Sequence, residues 1–130
     1  MSAIKSVLIV TDGTARVMEM AQKISENLKG TNTLIKDASG FAGTDLLPAE
    51  VVFIGCTEPS PPSFAYLDEM LQHINLAGRK CGIFSPSSKK ALQYLKRMLK
   101  SSEISLSKET LSETNLADVK KWTAGVLAGK

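Results

Sequence analysis

The sequence predicts an α/β fold in which five parallel strands form one sheet between two layers of helices, a three-layer doubly wound arrangement. Three observations predict it. Continuous apolar runs at residues 4–10, 51–55 and 80–85 lack the in-and-out alternation of a sheet with one wet face, so they suit strands buried on both sides. Turns rich in Gly, Pro or Ser follow these runs and lead into apolar residues at helical spacing. Alternating strands and helices imply right-handed crossovers, and right-handed crossovers imply a parallel sheet.

The first strand, at residues 4–10, is apolar and rich in β-branched residues, which places it in the centre of the sheet. A Thr/Asp/Gly/Thr turn then leads into a helix marked by Val17, Met20, Ala21, Ile24 and Leu28, with Lys29 and Gly30 as its basic end and stop. Residues 33–36 read as a brief second strand, followed by a polar turn at 37–40 and an irregular or singly helical piece reaching Pro48. Residues 51–55, VVFIG, make the third strand, and its exit loop at 56–63 carries three prolines that forbid regular structure. Ser63 is placed to cap a helix whose face is Leu67, Met70, Leu71 and Ile74, ending before Gly78. Residues 80–85 form the fourth strand, and Ser87 and Ser88 offer caps for a helix with Leu92, Leu95, Met98 and Leu99 inward. Residues 104–106 read as a short fifth strand, and Leu116, Val119, Trp122, Thr123 and Val126 as a final helix.

Composition narrows the function. The 130 residues, 43% hydrophobic and 22% charged, suit one compact domain spanning 1–130. No apolar run nears the roughly 20 residues that cross a bilayer, and the N-terminus meets Asp and Gly too early for a signal peptide, so a cytoplasmic protein away from membranes is expected. Cys56 should lie at the carboxyl edge of the sheet and Cys81 at the opposite edge, on the order of 13 Å apart, too far for a disulfide. A lone histidine, His73, leaves neither a zinc site nor a catalytic pair. The net charge of +3 is uneven: residues 1–60 carry five Lys/Arg against seven Asp/Glu, and residues 61–130 carry eleven against six. Lys89, Lys90, Lys96, Arg97 and Lys100 fall in one predicted helix, where a solvated face explains them, and no aromatic-basic interleaving points to nucleic acid.

The junction VLIVTDGTAR is the strongest functional signal. The first N–H groups of a helix lack partners within it, and the helix dipole adds partial positive charge, so Thr11, Asp12, Gly13, Thr14, Ala15 and Arg16 form a candidate anion site. Asp12 has two readings: an N-cap for the helix, or a carboxylate that competes with a phosphate for the same N–H groups. Cys56 reads either as a ligand-contacting thiol or as a structural one, and the loop after it as a ligand wall or a rigid connection.

Taken together, four passages resemble the flavodoxin family of FMN-carrying electron-transfer proteins. They are the VLIV strand with its Thr-rich turn and the helix bearing AQKI, DLLPAE leading into VVFIG, the helix over 66–74, and LAGRK leading into CGIF. The resemblance implies strand order 2-1-3-4-5 and an FMN site. Thr11 to Arg16 would hold the phosphate, Cys56, Thr57, Glu58, Pro59 and Ser60 would flank the ring, and Ser85, Pro86 and Ser87 would close its other side. It also implies exchange of electrons with a redox or regulatory protein partner. The family's phosphate loop reads Ser/Thr-x-Thr-Gly-x-Thr. Here either Gly13 matches the Gly, or Thr14 matches the Thr before it and Ala15 replaces the Gly, and neither placement recovers all the hydroxyls. The loops at 56–63 and 85–88 contain no Trp or Tyr to stack on a flavin. These departures favour an alternative, a flavin-free domain of the same fold acting as a protein-interaction or regulatory module. An enzyme acting on a small phosphorylated ligand is a third class, and it lacks an acid/base pair.

Overall fold

A computed structural model describes residues 6–86 and 89–129. Its sheet holds five parallel strands in the order β2-β1-β3-β4-β5, formed by Ser6–Thr11 (β1), Asn32–Asp37 (β2), Val51–Gly55 (β3), Lys80–Phe84 (β4) and Ser105–Leu106 (β5). Strand β1 is central, with Leu8 opposite Leu34 on one side and Val52 on the other. Chain order therefore reverses direction between β1 and β3, and the loops leaving these two strands open side by side at the carboxyl edge. Residues 4 and 5 of the predicted first strand, and Ser87 and Ser88, lie outside the described residues.

The period-two geometry of a strand splits the core in two. Val7, Ile9, Val51 and Phe53 meet helices Ala15–Glu26 (α1) and Val119–Leu127 (α5), through Val17, Met20, Ile24, Trp122 and Val126. Leu8, Val10, Val52, Ile54 and Ile83 meet the other layer, made of Gly43–Leu46 (α2), Ala65–Leu71 (α3) and Lys89–Lys100 (α4). With apolar cover on both faces, β3 is buried along its whole length, which is why VVFIG shows no alternation.

Four expectations change. Ser63 does not cap α3: it lies within a 3-10 turn, Pro62–Phe64, that enters the helix without any side-chain cap. The helix also ends at Leu71, short of Ile74, because its last turn tightens, with Gln72 N–H donating to Glu69 O and His73 N–H to Met70 O. The fifth strand contracts to two residues and is continued by an isolated bridge between Phe84 and Leu111. The last helix is entered through a 3-10 stretch, Glu113–Asp118.

Trp122 anchors α5. Its indole ring lies 5.5 Å from Phe53, tilted by 56°, and its Nε1–H donates to the Glu109 carbonyl at 2.9 Å. This packing needs Gly82 in β4, where a Cβ would come within 2.9 Å of Trp122 Cζ2 and Val126 Cγ2. Gly82→Ala is therefore expected to destabilise the protein by about 1–3 kcal/mol through overpacking. Gly125→Ala, in α5 with open space around the new methyl, should stabilise it by about 0.5–1 kcal/mol. Urea unfolding followed by Trp122 fluorescence checks both.

Candidate functional site

The carboxyl edge between β1 and β3 is organised by Asp12. Its Oδ1 accepts from Thr14 N–H at 3.0 Å and from the Thr14 hydroxyl at 2.6 Å. Its Oδ2 accepts from Thr57 N–H at 2.8 Å and from the Thr57 hydroxyl at 2.9 Å. One carboxylate thus ties together two loops 45 residues apart in sequence. Partial burial opposes its charge, but the hydrogen bonds from Thr14 and Thr57 prevail and hold its pKa below the usual carboxylate range.

This geometry decides between the two readings of Asp12. It is not the N-cap of α1: Thr14 occupies that position, in extended conformation and with no side-chain cap. Instead, Asp12 takes donors that a phosphate would need. Thr11 is committed as well, since its hydroxyl is fully buried, donates to Met18 Sδ at 3.3 Å and accepts from Gly13 N–H. Gly13 turns the chain at φ +82°, where a Cβ would press on the Asp37 carboxylate. Ala15 opens α1 with an exposed methyl, and the Arg16 guanidinium pairs with Glu113 instead of pointing into the loop.

In the first placement of the flavodoxin pattern Thr11 supplies the first hydroxyl, which is buried and donates to Met18 Sδ; in the second, Thr14 stands before Ala15, where α1 starts. Asp12 then stands at the first hydroxyl position and Val17 at the last. Val17 is fully buried in the core, so only Thr14 keeps a hydroxyl, and Asp12 already holds it. The residues present therefore do not fit the phosphate of FMN. A helix N-terminus contributes about 0.3–1 kcal/mol toward an anion, up to about 2 kcal/mol when partly buried. The Asp12 carboxylate carries the same sign as a phosphate and already holds the Thr14 and Thr57 donors, which opposes that contribution.

The ring side is equally spare. Thr57 is half-buried and spent on Asp12, while Glu58, Pro59 and Ser60 are exposed, with Ser60 in the left-handed region at φ +49°. Pro86 is buried, and its carbonyl accepts from Glu113 N–H at 3.0 Å. Ser85 N–H donates to the Leu111 carbonyl at 3.0 Å, while its buried hydroxyl has no hydrogen-bond partner among the described residues. Ser87 lies outside the described residues. Phe64, the aromatic nearest the first loop in sequence, is fully buried, and the half-exposed Tyr66 packs toward Phe41 at 6.3 Å.

The cysteines are free and both are buried. Burial, reinforced by the nearby charges of Asp12 and Glu58, pushes the Cys56 thiol up to about 12, and burial alone raises Cys81. Neither forms a nucleophilic thiolate near neutral pH. Among the described residues no group of three His, Cys, Asp or Glu side chains could hold a metal ion. No helix there is long and apolar enough to cross a membrane. Sequence reasoning missed Thr57 as the partner of Asp12 and Glu113 as the partner of Arg16. Both pairings join distant segments, and no local signal announces them.

Comparisons with known proteins agree on the fold. No protein-family model and no curated protein matches the sequence. Solved flavodoxins match the structure along almost their whole length. A short-chain flavodoxin associated with a PDU bacterial microcompartment superposes with a TM-score of 0.83 at 12% identity, over 97% of this chain and 98% of that one. A flavodoxin from Streptococcus pneumoniae TIGR4 gives 0.81 at 15% identity, over 96% and 99%. A Fusobacterium nucleatum flavodoxin bound to flavin mononucleotide gives 0.75 at 10% identity, over 94% and 96%. The chain has the flavodoxin-like fold, with a sequence far from these relatives.

Two expectations follow from the site. Asp12→Asn should lower stability by about 1–3 kcal/mol at pH 7, because it removes a charged acceptor of four hydrogen bonds. Since the folded-state pKa of Asp12 is depressed, the stability it contributes is present above the ordinary carboxylate value and lost as pH falls through the folded-state value. Urea unfolding of both proteins should therefore show a gap at pH 7 that closes as pH falls below the ordinary carboxylate range. Native protein should also react negligibly with a disulfide reagent such as DTNB, and both thiols should appear on unfolding; rapid labelling of Cys56 in the folded protein would contradict its burial.

Proposed function

We propose that this chain is a flavin-free domain of flavodoxin-like fold that serves as a protein-interaction or regulatory module. The observation carrying this reading is the Asp12 carboxylate, which accepts four hydrogen bonds from Thr14 and Thr57 at the edge where a phosphate would have to bind. A fold can outlast its cofactor, since function resides in the site it carries. The loops here have exchanged ligand donors for contacts to one another: Asp12 with Thr57, Arg16 with Glu113, and Glu113 N–H with the Pro86 carbonyl. Such a domain presents a rigid surface and performs no redox chemistry of its own.

The competing reading is an FMN-binding electron carrier. It is supported by the likeness in fold to a flavodoxin bound to flavin mononucleotide, and it requires Asp12 to release Thr14 and Thr57. In that case the flavin would supply the redox chemistry, and the polypeptide only orientation and electrostatics.

The absorption spectrum of freshly purified protein, followed by titration of FMN with its fluorescence as readout, separates the two. The expected result is colourless protein with no saturable quenching up to about 100 μM FMN. Flavin bands in the purified protein, or saturable quenching at low micromolar FMN, would overturn the flavin-free reading.

A further inference from the structure

The outer face of α4 concentrates positive charge. Its twelve residues carry Lys89, Lys90, Lys96, Arg97 and Lys100 and no Asp or Glu. Lys89, Lys96 and Lys100 stand at i, i+7 and i+11, with Lys90 and Arg97 seven apart in the next column, so all five share one stripe about 16 Å long. All are exposed, while Ala91, Tyr94, Leu95, Met98 and Leu99 on the opposite face enter the core. Among the described residues none of the five makes an ion pair.

Helix stability accounts for only part of this pattern: Arg97 and Lys100, in the last turn, complement the helix dipole, but the other three do not. A solvated helix face is ordinarily stabilised by alternating charges at i and i+4, whereas Lys96 and Lys100 repel at that spacing. Lys89 and Lys90 sit at the positive end of the helix dipole, with no acidic residue in the first turn to balance them. Asp68 accepts the Tyr94 hydroxyl at 3.0 Å, and Glu103, which lines a shallow cavity with Lys96 and Lys100, is exposed and makes no ion pair among the described residues.

We propose that this face of α4 docks an acidic segment of another protein, about three helical turns long, with carboxylates at matching spacing. The proposal deepens the interaction-module reading and rests on it for the kind of work the surface does. Charge complementarity specifies the occupant: a stripe confined to one helix suits a short acidic segment. Nucleic acid is disfavoured because no aromatic side chain shares the stripe for base stacking, Tyr94 being turned inward.

The test uses the full chain and a labelled helical peptide bearing Glu at i, i+4, i+7 and i+11, with fluorescence anisotropy read at about 50 mM salt. Lys96→Glu with Lys100→Glu should weaken peptide binding about tenfold or more, while Lys120→Glu with Lys121→Glu, an equal charge change on α5, should alter it less than about twofold. Circular dichroism confirms that each variant is folded. Should the reversal unfold the chain, Lys96→Gln with Lys100→Gln gives the same comparison. Equal losses in both pairs, no binding by the wild type, or tighter binding of a DNA duplex than of the peptide would overturn the proposal. The FMN titration reads the flavin-free assignment separately: binding of FMN sinks that assignment alone, and equal response of the two lysine pairs sinks the stripe alone.

Discussion

The bond pattern around Asp12 sets the character of the whole carboxyl edge. Strand order brings the exits of β1 and β3 together, and two loops that leave buried strands must satisfy their backbone donors there. Asp12 does so from one side, offering both carboxylate oxygens to Thr14 and Thr57. The loops are thereby closed by an internal anion.

That closure depends on the stiffness beneath it. Strands β1 and β3 are buried along their paired residues, with Ile9 against Phe53 and Val10 against Ile54 in register, so neither exit can shift far without disturbing both halves of the core. Contacts at the far side follow the same plan. Arg16 joins the start of α1 to Glu113, and Glu113 N–H reaches the carbonyl of Pro86 beyond β4. The carboxyl edge is thus a set of connections among three loops.

Much of the fold was legible in the residues because burial on both faces leaves a plain signature. VVFIG has no alternation to hide, and its observed bounds coincide with the apolar run. The faces of α1 and α4 follow directly from 3.6-residue spacing. The weak elements were those held by few long-range contacts: β5 shrinks to Ser105 and Leu106, and α3 gives way at Leu71 although Ile74 continues its spacing. At the site, the sequence exposed the conflict between Asp12 and an anion but not its resolution, since nothing near Asp12 in the chain points to Thr57. The cationic face of α4 was visible as a run of residues. That none of these cations forms an ion pair among the described residues needed three dimensions.

The central claim is that the Asp12 carboxylate occupies the donors a phosphate would need, and amide NMR reads those donors directly. In nitrogen-15 correlation spectra at neutral pH, the Thr14 and Thr57 amides should be unmoved by inorganic phosphate or FMN, and should shift together on acidification through a single titration below the usual carboxylate range. Saturable shifts of both amides on adding FMN at neutral pH, with Asp12 released from them, would contradict the account.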